Sequence, residues 1–293
     1  MPYADSNGIN LYYEEAGRGT PIVFVHEFAD DLHSWEAQIR YFSRRYRCIA
    51  FNARGYAPSD VPKAVSKYSQ AIATDDIAAV MRHLNIKKAH IIGCSMGGYA
   101  TIHFGLRHAR MALSLTAVGA GYGSDPDKRA QFMRDTEVMA RRFEELGTAE
   151  AIKPYQIGPA RVQFQNKDPR GFAHFCAEFA KHSALGSANT LRGVQAKRPT
   201  IYSLGRALRK LTVPLHVVSG DEDNLCLEPG LFIKRVCTAA ALTVVANSGH
   251  AVNREEPDLF NRLTAEFLAS VDSGRWRPRD PRSLNVSTME RKR

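Results

Sequence analysis

Short apolar runs alternate with amphipathic stretches along most of this chain, and no other feature limits its fold as strongly. Such alternation is typical of a parallel sheet flanked by helices. The predicted strands cover residues 21–26, 48–51, 89–93, 113–118, 215–219 and 242–245. The predicted helices cover residues 35–45, 71–84, 96–107, 231–236 and 258–271. An Asn7-Gly8 hairpin turn precedes them, so the sequence predicts an α/β fold with a mostly parallel sheet.

The alternation stops between residues 122 and 211, where no strong strand signal is present. Aromatic residues recur there at helical spacing, and glycine and proline interrupt the stretch. We therefore predict a helical insertion within the α/β core. The predicted divisions are a core formed by residues 1–121 and 212–272, the insertion at residues 122–211, and a tail at residues 273–293.

Composition and the absence of targeting signals predict a globular protein of the cytoplasm. The hydrophobic fraction of 44% and the charged fraction of 24% are ordinary for a folded domain and exclude a disordered chain. No apolar run approaches the roughly 20 residues that span a bilayer, and the N-terminus has no signal-peptide pattern. The five cysteines fit no metal-binding spacing, so we expect reduced thiols, no metal and no cofactor.

The net charge of +10 is concentrated toward the C-terminal end of the chain. Residues 275–293 hold seven basic and two acidic side chains, so half of the excess charge lies in this tail. A basic tail can bind nucleic acid, but this one lacks the aromatic interleaving of a single-strand binder. We therefore predict a solvated tail and no nucleic-acid partner, while the oligomeric state, including a homodimer, stays open.

The strongest local motif is Gly93-Cys94-Ser95-Met96-Gly97-Gly98, a G-x-S-x-G sequence between a predicted strand and a predicted helix. This is the context that a nucleophile elbow requires. A sharp strand-to-helix turn makes the serine hydroxyl project from the sheet edge, and the glycines leave room for the neighbouring backbone. The N–H of Met96 then points toward the same place, at the N-terminus of a helix.

A serine attacks a carbonyl only when a base takes its proton, and the base should be a histidine on a later loop. His250 directly follows the last predicted strand, whereas His26 ends a strand on the same edge of the sheet and is the alternative. An acid must hold the histidine in the correct tautomer. Asp223 follows the preceding strand and is favoured for this role, with Asp221 and Asp125 as the alternatives.

Together these motifs resemble those of the α/β-hydrolase-fold serine hydrolases, of carboxylesterase and lactonase type with a helical lid. The resemblance extends over residues 8–272 and rests on Val25-His26, Ala53 to Asp60, Gly93 to Gly98, Gly220 to Asp223, and Gly249-His250 with Glu256-Pro257. It implies that Ser95 is the nucleophile, Asp223 the acid and His250 the base. It also implies an oxyanion hole formed by the backbone N–H groups of Phe28 and Met96, and a lid formed by the helical insertion.

The chain departs from this family pattern at Glu27, where a glycine usually follows the histidine. Either Glu27 pairs with a nearby cation in an ordinary loop, or it lies in the substrate site and acts on water, protons or substrate charge. Trp35 either lines the substrate pocket or packs in the core. Arg54 is expected to brace its loop, and Cys94 is expected to be a small buried residue rather than a second nucleophile.

The sequence thus predicts an enzyme that hydrolyses a small to medium carboxylic ester, lactone or thioester through an acyl-enzyme on Ser95. Its partner would be this small-molecule substrate. A C–C bond hydrolase or a perhydrolase with the same triad is one alternative, although the C–C hydrolases often carry tryptophan where this chain has Ala251. A non-catalytic ligand receptor on the same scaffold is the other alternative.

Overall fold

The computed structural model describes residues 2–284 and contains an eight-stranded sheet. Its strands are β1 Tyr3–Asp5, β2 Asn10–Ala16, β3 Thr20–Val25, β4 Tyr46–Phe51, β5 Ala89–Cys94, β6 Ala112–Val118, β7 Leu215–Gly220 and β8 Ala240–Val245. Their order is β1-β2-β4-β3-β5-β6-β7-β8, with β3 to β8 mutually parallel and β1 and β2 paired in antiparallel fashion. The prediction of a mostly parallel sheet is therefore confirmed.

Helices account for most of the remaining chain. The α-helices are α1 Glu36–Phe42, α2 Gln70–His83, α3 Met96–Arg107, α4 Arg129–Leu146, α5 Thr148–Ala151, α6 Lys153–Gln156, α7 Val162–Lys167, α8 Pro169–Phe179, α9 Ala184–Thr190, α10 Gly205–Lys210, α11 Leu227–Val236, α12 Val252–Glu255 and α13 Pro257–Asp272. Shorter helical turns are Leu32–Trp35, Val65–Lys67, Ala109–Met111, Pro159–Arg161, Leu191–Gln195, Tyr202–Leu204 and Pro281–Leu284. Among residues 2–284, no helix has both the length and the apolar character needed to cross a bilayer.

The core lies on both faces of the sheet, because alternate residues of a strand point in opposite directions. Ile91 belongs to a cluster that joins the sheet to α2, α3 and α11 through residues such as Ile77 and Ile233. Its neighbour Ile92 belongs to a second cluster, which joins the sheet to α1 and α13 through residues such as Phe260. With both faces covered, β5 and β7 are buried along their whole length, as is usual for parallel sheets.

The elements that the structure describes between residues 122 and 211 are all helical. Their aromatic side chains, among them Phe143, Phe175 and Phe179, form a third apolar cluster with Phe28 and Met96 of the core. This arrangement agrees with the predicted helical insertion. The division of the chain into a core and a lid stays a prediction.

The N-terminal hairpin follows from the backbone preferences of two residues. Asn7 and Gly8 have φ angles of 54° and 77°, which suit both central positions of a type I′ turn. Ser6 and Ile9 close the turn with two reciprocal backbone hydrogen bonds of 2.8 and 3.3 Å. The Asn7-Gly8 prediction is thus confirmed.

Candidate active site

Ser95 lies at a sharp turn between β5 and α3, with a φ of 53° and a ψ of −110°. A positive φ in a residue other than glycine costs about 1–3 kcal/mol, so the surrounding structure must hold it. The Ser95 amide donates to the carbonyl of Val118 at 2.8 Å, and the Ser95 carbonyl accepts from the Tyr99 amide at 2.9 Å. The backbone of Ser95 is therefore held by both β6 and α3.

The glycines around Ser95 are required by close packing of the backbone. A Cβ atom on Gly93 would lie 2.2 Å from the carbonyl oxygen of Gly97. A Cβ atom on Gly97 would lie 2.1 Å from the carbonyl oxygen of Val25 in β3. No side chain fits at these distances, so the motif has the steric origin that the sequence predicts.

His250 and Asp223 form a buried hydrogen-bonded pair at the same edge of the sheet. Nδ1 of His250 lies 2.7 Å from Oδ2 of Asp223. Burial opposes the charged form of each group, but their mutual attraction and hydrogen bond outweigh it, so the pKa of His250 is raised and that of Asp223 is lowered. Because Asp223 accepts at Nδ1, the other ring nitrogen of neutral His250 is left as a proton acceptor.

The alternative acids and the alternative base are occupied elsewhere. Asp221 is exposed and accepts the Ser248 amide at 3.1 Å, so it braces the turn before His250. Asp125 accepts the amide of Asp127 at 3.0 Å. Nε2 of His26 accepts the Ala53 amide at 3.0 Å, and its Nδ1 is 2.6 Å from the carbonyl of Glu27, so both nitrogens of this ring have backbone partners.

Cys226 is a neighbour of this pair that the sequence did not reveal. Its Sγ donates to the carbonyl of Gly119 at 3.1 Å and lies 3.9 Å from Nδ1 of His250. Donor atoms of Asp223, Cys226 and His250 lie within 4.8 Å of one another, the spacing of a metal site. The set fits a metal poorly, because burial raises the pKa of the Cys226 thiol well above its usual range and Asp223 already engages His250. In the sequence, only the position of Cys226, three residues after Asp223, could have indicated that it lies near this pair.

A cavity of about 340 Å³ brings Ser95, His250 and Phe28 together. Residues of the helical insertion form most of its remaining wall, including Tyr155, Arg161, Gln195 and Arg198. The amides of Phe28 and Met96 have no hydrogen-bond acceptor in the part of the chain that the structure describes. Ser95, His250 and Phe28 therefore line one cavity at the junction of the sheet and the insertion, and Met96 directly follows Ser95.

Trp35 does not belong to this cavity. Its ring is fully buried and packs against Phe24 and Phe260, with ring centroids 5.2 and 6.2 Å away. The structure thus places Trp35 in the core, which was one of the two interpretations of the sequence. Arg54 donates to both carboxylate oxygens of Asp76, at 2.7 and 2.5 Å, and so holds its loop against α2.

Glu27 is buried and paired with Arg161 of the insertion. The guanidinium of Arg161 donates to the two carboxylate oxygens of Glu27 at 2.9 and 2.5 Å, and to the hydroxyl of Tyr155 at 3.0 Å. The side chains of Arg161 and Glu27 are only 1% and 2% exposed. Burial alone would raise the pKa of Glu27, but the charge and hydrogen bonds of Arg161 hold it below its usual range. The sequence showed no sign of this partner.

A second acid of the same loop forms a second ion pair. The buried carboxylate of Asp30 contacts the guanidinium of Arg254 in α12, a few residues beyond His250. The guanidinium groups of Arg161 and Arg254 lie over the ring of Phe175, at 4.9 and 5.6 Å from its centroid. The loop after β3 is therefore tied both to the insertion and to the segment that carries His250.

The chain is similar to several known proteins. The family model described as alpha/beta hydrolase fold matches residues 20–257. AB hydrolase superfamily protein YisY of Bacillus subtilis is 26% identical over 274 residues, 89% of this chain and 96% of the relative. 3-Oxoadipate enol-lactonase 2 of Acinetobacter baylyi is 26% identical over 254 residues, 84% of this chain and 88% of the relative. A solved structure of a thermophilic esterase from Thermogutta terrifontis has a TM-score of 0.78 at 24% identity, covering 92% of this chain and 97% of the esterase.

Proposed function

Because this chain belongs to the α/β-hydrolase-fold family, we propose that it is a serine hydrolase that cleaves a small to medium carboxylic ester, lactone or thioester through an acyl-enzyme on Ser95. The main support is the cavity, which Ser95 and His250 both line while Asp223 holds the His250 ring. A lactonase and an esterase among the similar proteins point in the same direction.

In the first step the Ser95 hydroxyl attacks the carbonyl carbon while His250 takes its proton through Nε2. Asp223 keeps the proton of neutral His250 on Nδ1, and its carboxylate stabilises the imidazolium that forms. The raised pKa makes His250 a stronger base than an ordinary histidine. Ser95 lines the cavity, and β6 and α3 hold its strained backbone before substrate binds.

The amides of Phe28 and Met96 would hold the negative charge that develops on the carbonyl oxygen. Met96 is the first residue of α3, so the positive end of the helix dipole adds to its N–H. His250 then protonates the leaving group, and the acyl-enzyme forms. A water molecule activated by the same ring hydrolyses this ester and restores free Ser95.

Hydrolysis of a chromogenic short-chain ester tests the proposal. Ser95→Ala should lower kcat by about 10⁶-fold and should abolish labelling by a fluorophosphonate probe. Ser203→Ala, which changes an exposed serine, should leave both unchanged. Equal hydrolysis by the wild type and by Ser95→Ala would rule the proposal out.

The choice of acid has its own matched pair of variants. Asp223→Asn should lower kcat by about 10⁴-fold, because the His250 ring loses the acceptor that fixes its tautomer. Asp221→Asn should change kcat by no more than a few fold, because Asp221 contacts only the turn backbone. The reverse ranking would assign the acid role to Asp221.

A further inference from the structure

Two arginines of the insertion, Arg161 and Arg198, line the cavity that contains Ser95, but only one has a counter-charge. Arg161 is paired with Glu27. Arg198 is 3% exposed, and no carboxylate in the described part of the chain forms an ion pair with it. Its Nη2 donates to the carbonyl of Tyr122 at 2.8 Å, whereas Nε and Nη1 have no hydrogen-bond partner among the same residues.

The guanidinium of Arg198 also contacts α3, the helix that directly follows Ser95. It lies 3.7 Å from the ring centroid of Tyr99, which is one helical turn beyond Ser95 on α3. Arg129 donates to the carbonyls of Ala196 and Arg198 at 2.6 and 3.0 Å, and so fixes the backbone that carries the guanidinium. The surroundings therefore hold Arg198 in place and add a second positive charge.

A buried guanidinium with unpaired donors is unfavourable unless an anion completes its surroundings. Burial lowers the pKa of Arg198, which is the direction expected for a cation without its counter-charge. Asp135 also lines the cavity, but it is exposed and its carboxylate accepts from Gln131 at 2.6 Å instead. The missing counter-charge is therefore one that a ligand can supply.

We infer that Arg198 recognises a carboxylate on the substrate, so that the cavity takes esters that carry one negative charge. This inference rests on the proposed function and narrows its substrate class. The carboxylate would accept hydrogen bonds from the guanidinium of Arg198, whereas the charge of Arg161 is already neutralised by Glu27. Arg198 would thus be a specificity-determining residue that does not take part in the chemical steps.

Matched pairs of esters test the inference on the wild-type protein. The acyl pair is 4-nitrophenyl hydrogen glutarate, which ends in a carboxylate, and 4-nitrophenyl pentanoate, which ends in a methyl group. The alcohol pair is 3-acetoxybenzoate and 3-methylphenyl acetate. In at least one pair, kcat/KM should be about 10- to 100-fold higher for the charged ester, the range that a charged hydrogen bond supplies. No preference in either pair would overturn the inference.

Variants assign the preference to one side chain. Arg198→Gln should reduce the preference to about one, with hydrolysis of the neutral ester retained, and Arg198→Lys should keep part of it. Arg192→Gln is the matched control, since it removes an insertion arginine that is paired with Glu137 and Glu144. A preference that persists in a folded Arg198→Gln protein would assign carboxylate recognition elsewhere.

Glutarate binding provides a readout that does not need turnover. Calorimetric titration should show glutarate binding to the wild type and to Ser95→Ala, and at least tenfold weaker binding to Arg198→Gln. If none of the four esters is hydrolysed, the result would count against the proposed function. If glutarate does not bind, or binds equally well to the wild type and to Arg198→Gln, the result would count against the inference. The two failures are therefore distinguishable.

Discussion

At the scale of single residues, Glu27 shows how one departure from a family pattern can be accommodated. A carboxylate beside the proposed oxyanion hole would repel the charge that develops there. Arg161 neutralises it with two hydrogen bonds, and neither side chain is appreciably exposed. Of the two interpretations that the sequence left open, pairing with a cation is the one that the structure shows.

Replacement of Glu27 by glycine would leave the buried Arg161 guanidinium without its counter-charge. We expect the free energy of unfolding to fall by about 3–5 kcal/mol, because removing one partner of a buried ion pair costs more stability than replacing both partners. Measurable ester hydrolysis should remain, because the Phe28 amide does not depend on the carboxylate. Urea unfolding and a chromogenic ester assay measure the two effects.

The double variant Glu27→Gly with Arg161→Met is the control, since it removes both charges. It should recover much of the lost stability, and added formate should stabilise Glu27→Gly but not the double variant. Complete loss of hydrolysis in a Glu27→Gly protein that is still folded would instead show that the carboxylate itself is needed in the site.

Single residues also mark the limit of sequence-based prediction here. Ser95, Asp223 and His250 could be singled out because each follows a strand of a parallel sheet, and such strands end at one common edge. Arg161 gave no such signal, because its partner lies 134 residues earlier in the chain. Arg198 could not be predicted either, because an unpaired charge is visible only after every neighbour has been placed.

At the scale of elements, the positions of the six parallel strands were predicted to within about two residues, but α11 was predicted too short. Its first turn contains Pro229 and Gly230, which look like a helix break in the sequence. Proline is tolerated there because the first N–H groups of a helix have no intrahelical acceptor. Within the insertion, repeated glycine and proline obscured the helix ends, so only the helical character of that segment was predictable.

The contact between the loop after β3 and α12 should make stability depend on pH. Burial raises the pKa of Asp30 from its ordinary 3.8 to about 6, despite the nearby Arg254. Between these values the folded state holds a proton that the unfolded chain has lost, so stability falls as the pH rises, by about 3 kcal/mol from this group. Asp30→Asn removes this titrating group. The unfolding free energy of the variant should therefore decline less from pH 4 to pH 6 than that of the wild type.

Urea unfolding of both proteins across this pH range measures the effect. Asp280→Asn is a suitable control, because this carboxylate is exposed and pairs only within the tail. Parallel curves for the wild type and Asp30→Asn would show that Asp30 ionises normally in the folded protein.

At the scale of the whole molecule, the cavity and the C-terminal segment lie at opposite edges of the sheet. Ser95 and His250 follow the carboxyl ends of strands, whereas Asp272 accepts from Tyr46 and His90 near the beginnings of β4 and β5. Farther along, the amide of Arg279 donates to the carbonyl of Thr238 just before β8, at 2.8 Å. Residues 285–293 of the predicted basic tail lie outside the described residues.

This separation predicts that the tail is dispensable for ester hydrolysis. Truncation after Asp280 should change kcat/KM by less than about twofold, because the described residues that it removes, 281–284, are exposed and do not line the cavity. A gel-shift assay at low salt should detect no DNA binding by either protein. Salt-dependent binding that disappears on truncation would show that the tail has a nucleic-acid partner after all.

The ion pair between Glu27 and Arg161 also has a consequence for access to Ser95. If the insertion swung away from the loop after β3 in each catalytic cycle, Arg161 would have to separate from Glu27. Each separation would leave two buried charges without a partner, which is costly. We therefore expect the insertion to stay in contact with the loop after β3 while molecules enter and leave the cavity. If so, separation of the insertion from this loop would not be a step that limits the rate of catalysis.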